Sequence, residues 1–100
     1  MLPGKPSFTR VDMVGGTVQV GGKSDADETP HQVHVTLLQD VEGQEAPHSA
    51  ETTLELPAAD WEANFKSDGF RRGPVVVVGH EISLKPHFSA HTWVEYMDIK

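Results

Sequence analysis

The chain has 100 residues and a mass of 10.9 kDa, the length of one domain whose folding buries roughly 65% of the unfolded chain's surface. Eight basic residues against fifteen acidic ones leave a formal charge of −7, a field that repels phosphate backbones and anionic lipid and so argues against nucleic acid as a partner. Cysteine is absent, which excludes disulfides, thiolate metal sites and cysteine nucleophiles and inclines the reading toward a reducing, cytoplasmic compartment.

Residues 1–6 carry two prolines and a glycine and read as a flexible lead into a single domain spanning 1–100. Neither this lead nor any later run has the apolar length of a secretory core or a bilayer span, so no leader and no membrane insertion are expected. Ser7 to Met13 places Phe8, Val11 and Met13 near a first strand with imperfect alternation. Gly15-Gly16 breaks it, Thr17 to Val20 alternates cleanly, and Gly21-Gly22 reads as the end of that second strand. A polar segment, Lys23 to Pro30, precedes the clearest half-buried strand: from Gln32 to Leu38, Val33, Val35 and Leu37 share one face and His34, Thr36 and Leu38 the other.

Asp40 to Pro47 reads as a solvated loop. Beyond it Thr52, Leu54 and Leu56 mark an inward face, and Pro57 stops the strand. Trp61, Ala63 and Phe65, spaced by two, suit one face of a further strand; a short helix opening at Pro57 is the competing assignment for 57–66. The most informative stretch is Gly73-Pro74-Val75-Val76-Val77-Val78-Gly79, whose four consecutive β-branched residues predict a central strand apolar on both faces. Val75 and Val77 should meet Val33, Val35 and Leu37, and Val76 and Val78 should pack beneath a loop, an added element or a partner. Ala90 to Ile99 supplies the last strand. Seven short strands without amphipathic helices predict an all-β, antiparallel two-sheet sandwich, with a small partly open β-barrel as the alternative.

The order of an alternating strand, a long alternating strand, Leu54-Glu55-Leu56-Pro57 with Trp61 downstream, and then Phe70-Arg71-Arg72-Gly73-Pro74-Val75-Val76-Val77 resembles the immunoglobulin-like sandwich domains of bacterial surface and accessory proteins. The resemblance spans Gly16 to Ile99 and departs from the antibody type in having no cysteine pair around a tryptophan. It implies binding, spacing or display, and it transfers no catalytic residue.

Chemistry-bearing residues are few. His31 and His34 are three apart and His87 and His91 four apart; on extended strands the first pair points to opposite faces and the second is about 13 Å apart, so neither shares one ion unless His31 lies in the preceding turn or Pro86-His87-Phe88 turns. A cross-strand grouping of His34, His80 and His91 with Glu81 or Glu95 would provide a zinc-type ligand set; the plainer reading leaves these histidines as exposed strand residues. Asp25 and Asp27, beside Glu28, offer oxygen ligands for calcium with help from Asp40 or Glu42, but lack the glycine and distal glutamate of an EF-hand loop. No nucleophile elbow, phosphate loop or metalloprotease helix occurs, so neither enzyme activity nor a cofactor is expected.

Binding residues are sought instead at the last strand. Trp93 and Tyr96 have opposite parity, so at most one faces the core of a regular strand. The other, with His91 and the neighbouring Phe88, would form a contact surface, and Arg71 and Arg72 would grip a single carboxylate. The expected function is therefore a non-catalytic binding or accessory module acting through a sheet face or edge strand on a protein partner or a second copy. A small-ligand or carbohydrate binder with an outward aromatic, and a metal-binding protein using His and carboxylates, are the alternatives.

Overall fold

A computed structural model describes residues 7–23, 31–55, 60–83 and 89–100. These form seven strands: β1 (Ser7–Val14), β2 (Thr17–Lys23), β3 (His31–Gln39), β4 (His48–Glu55), β5 (Asp60–Lys66), β6 (Gly73–Ser83) and β7 (Ser89–Ile99). The all-β expectation is met, and Trp61 to Phe65 is strand rather than helix. Leu56 and the helix-start residues before Asp60 lie outside the described residues.

The expected pair of separate sheets is replaced by one mixed sheet in the order β4-β3-β6-β7-β1-β2-β5, nearly closed into a barrel. Two antiparallel blocks, β4-β3-β6-β7 and β1-β2-β5, are joined by a short parallel junction at Val11 and Ile99. There the Met13 amide donates to the Lys100 carbonyl at 2.9 Å, and the Lys100 amide donates to the Val11 carbonyl at 3.0 Å. This junction is what the alternating strings cannot encode, because a sandwich and a barrel bury the same parity along every strand.

The interior is lined by Val11, Val18, Val20, Val33, Val35, Leu37, Ala63, Phe65, Val75 and Val77, with Ile99 at the parallel junction. Val77 pairs with Leu37 in the β3–β6 ladder, which places the inward valines of the apolar run where the sequence puts them. β1 explains its own poor alternation. Its register with β2 slips between Phe8 and Arg10, and this bulge lets Phe8 and Val11, three apart, both turn inward.

β2 does not end at Gly21-Gly22 but continues to Lys23. Gly22 lies opposite Trp61 in the β2–β5 ladder, and the indole covers it so closely that a Cβ there would collide with the ring. The same arrangement recurs at Gly79 and Trp93 in the β6–β7 ladder. An aromatic laid over a strand glycine restores the contact that the missing side chain forfeits. Phe8 joins both, edge-on to Trp61 at 5.8 Å and stacked on Trp93 at 5.3 Å, so three aromatics close one end of the barrel. At the other end Phe70 is buried and meets the His48 ring at 4.5 Å.

Candidate functional site

At the Phe70 end, residues of the loop between β3 and β4 and of the loop between β5 and β6 line one groove with the adjoining ends of β3, β6 and β7. Leu38, Val76 and Tyr96 lie side by side across these three strands and form the apolar floor of an open groove of about 660 Å³. Arg71 and Arg72 line it together with Asp40 and Glu42. One step along the sheet, Thr36, Val78 and Val94 form the next cross-strand row. Tyr96 is 85% exposed and Val94 52%, so the apolar strip runs from the groove onto the open sheet face.

The arginine loop is held from beneath by Gln39. This side chain is only 6% exposed, and it makes three hydrogen bonds to the loop backbone. Its amide nitrogen donates to the Arg71 carbonyl at 2.7 Å and the Pro74 carbonyl at 3.0 Å, and its oxygen accepts from the Arg71 amide at 2.7 Å. Polar loop groups that the ladders do not reach are thereby paired. Gly73, at φ 126°, supplies the left-handed turn that returns the chain to β6. Replacing Gln39 by leucine is expected to lower stability by about 1–3 kcal/mol, since it leaves a part-buried donor and two part-buried acceptors without this partner. Urea unfolding checks this: the midpoint should fall with the slope unchanged.

Sequence reasoning missed Gln39, although the parity of Val33, Val35 and Leu37 continues to it. The sequence-based strand stopped one residue short, at Leu38.

The candidate residues divide between the two faces of the wall. Tyr96, Arg71 and Arg72 come together at the groove. Trp93 does not: it turns inward over Gly79 and packs against the core, so the parity argument is resolved with tyrosine outside and tryptophan inside. His91 is exposed toward the opposite end of β7, paired with Glu81. Phe88, Asp25 and Asp27 lie outside the described residues.

The ligand set drawn across strands is split as well. His34 and His80 are directly opposed on the outer face, whereas Glu81, His91 and Glu95 follow the inward parity of Val77 and Trp93. His34 is engaged at both ring nitrogens, by the Thr53 hydroxyl at 2.7 Å and Glu51 at 3.0 Å, and His80 meets the Thr92 hydroxyl at 2.7 Å. Among the described residues, no group of three or more His, Cys, Asp or Glu is placed to hold a metal ion. Glu95 is half-buried and accepts the Phe8 amide at 2.8 Å, pairing a β1 donor beside the bulge where β1 and β7 share no ladder bond.

The arginines are used differently. Arg10 is clamped by Asp12 and Glu62, each at 2.8 Å; the hydrogen bond to Glu62 and then that to Asp12 raise its pKa above the usual arginine value. Among the described residues neither Arg71 nor Arg72 has an acidic partner, and Arg72 makes one long contact, 3.4 Å, to the Met13 carbonyl. Among the described residues no helix is long and apolar enough to cross a membrane. Comparison of the chain with protein-family models, curated proteins and solved structures finds no match.

Proposed function

We propose that the chain is a non-catalytic binding module that meets a protein partner through the outer face of β3, β6 and β7. The observation that carries this reading is Tyr96, 85% exposed next to half-buried Val76 and one row from exposed Val94. A contiguous apolar strip centred on an exposed tyrosine is the composition of an interface core, because the ring brings large contact area at low entropy cost and its hydroxyl stays satisfied in water. It also accounts for the outward Val76 and Val78, which a barrel wall facing only water does not require.

The face is favoured over an edge. β4 and β5 share no ladder, yet their outward residues include Glu51, Glu55, Asp60, Glu62 and Lys66, and charge on edge strands works against strand addition.

A photoreactive residue placed at Val94 tests the assignment against one placed at Asn64, an exposed position on β5. In extracts of the source organism, the Val94 probe is expected to capture a defined protein species, and Tyr96→Ala is expected to reduce that capture about tenfold or more. Equal capture from both positions, or capture indifferent to Tyr96→Ala, would falsify the reading.

A further inference from the structure

We propose that the groove between the two loops binds an extended segment of the protein partner, one that presents a single carboxylate beside an apolar side chain. This rests on the binding-module reading and adds the chemistry of what is bound. The first observation is charge. In a chain of net charge −7, two adjacent arginines line a groove with no acidic partner among the described residues, whereas Arg10 holds two. A paired guanidinium fork is geometrically matched to a carboxylate, which it holds through two parallel charge-assisted hydrogen bonds.

The second observation is that the loop carrying these arginines is already fixed. Three hydrogen bonds from buried Gln39 hold the Arg71 backbone and the Pro74 carbonyl, so little ordering of the backbone is left to be done on binding.

The third is the floor. Leu38, Val76 and Tyr96 offer apolar contact that a free inorganic anion cannot use, and the groove's about 660 Å³ has room for more than one side chain. Asp40 and Glu42 also line the groove, so its two arginines are offset by two acids and a ligand carrying more than one negative charge is disfavoured.

The test is a nuclear magnetic resonance titration of the full chain with two capped, leucine-containing pentapeptides that differ only in a central glutamate or glutamine. The glutamate peptide is expected to shift the amides of Arg71, Arg72, Val76 and Tyr96 and to bind about tenfold more tightly than its glutamine counterpart. In the Arg71→Gln/Arg72→Gln variant that preference should vanish while the urea midpoint stays put, since both arginines are exposed. Equal affinity for the two peptides overturns the proposal, as does tighter binding of the glutamine peptide or shifts confined to another region. Inorganic phosphate reproducing the same shifts at equal concentration also overturns it, marking a simple anion site. If the peptides fail while capture at position 94 still depends on Tyr96, only the groove assignment falls; if both fail, the binding-module reading falls with it.

Discussion

Leu37→Ala is expected to lower the stability of the fold by about 2–5 kcal/mol, a large part of the roughly 5–15 kcal/mol that holds a domain of this kind together. Leu37 is fully buried, at 0% exposure, and among the described residues is the largest side chain to be so. It sits on β3, which is laddered on both sides, opposite Ala50 on β4 and Val77 on β6. Small and β-branched neighbours on rigid strands have little freedom to move into the vacated space, so a cavity penalty adds to the lost burial. The neighbouring substitution Leu38→Ala is the control. Leu38 faces outward over the groove and is only half-buried, so its loss should cost under about 1.5 kcal/mol. Urea unfolding of the two variants reads the register of β3 directly, because a one-residue slip would exchange the two faces. Equal costs at positions 37 and 38 would refute the inward assignment.

That pair shows what alternation makes legible. Val33, Val35 and Leu37 announce an inward face, and the structure puts all three at 0% exposure; the same parity carries through Trp61, Ala63 and Phe65 and through Val75 and Val77. Alternation is a local property, fixed by the two-residue period of the strand. What it cannot express is which strand edges meet. The step from expected sandwich to observed barrel depends on Val11 lying beside Ile99, residues almost the whole chain apart, and on the parallel direction of that meeting. No residue type marks such a junction.

Glycine misled for a related reason. Gly21-Gly22 has the composition of a strand end, but the tryptophan that keeps Gly22 in a strand sits 39 positions later, on β5. The candidate site was legible in pieces. Tyr96, Arg71 and Arg72 could each be picked out by type, because two aromatics of opposite parity on the last strand and a pair of arginines stand out in an acidic chain, although parity alone left open whether Trp93 or Tyr96 faces outward. Their convergence could not, since it needs the β6–β7 hairpin and the β5–β6 loop to be placed together. Gln39 was hidden because glutamine at a strand end looks like the start of a loop, and its burial follows only once the loop above it is known.

The indole–glycine pairs yield the second large effect, and it takes the form of a coupling. Trp61→Ala is expected to cost about 3–5 kcal/mol, as befits a core tryptophan. At 8% exposed it is the lid on Gly22 and the edge-on partner of Phe8. Gly22→Ala in the native background should cost about 1–3 kcal/mol, because the new methyl would be driven into the six-membered part of that indole and something in the closely packed barrel end would have to shift. Made on top of Trp61→Ala, the same Gly22→Ala substitution meets no indole. It should then be neutral, or stabilising by about 0.5–1 kcal/mol, since alanine loses less backbone freedom than glycine on entering a strand. The two costs are therefore expected to be non-additive by at least about 1 kcal/mol in the double-mutant cycle, well beyond what independent sites show. Trp93 stays in place in all four proteins of the cycle, so its fluorescence reports unfolding in each. Additive costs would mean that the indole does not press on Gly22, and β2 would then need another reason to run on through its two glycines.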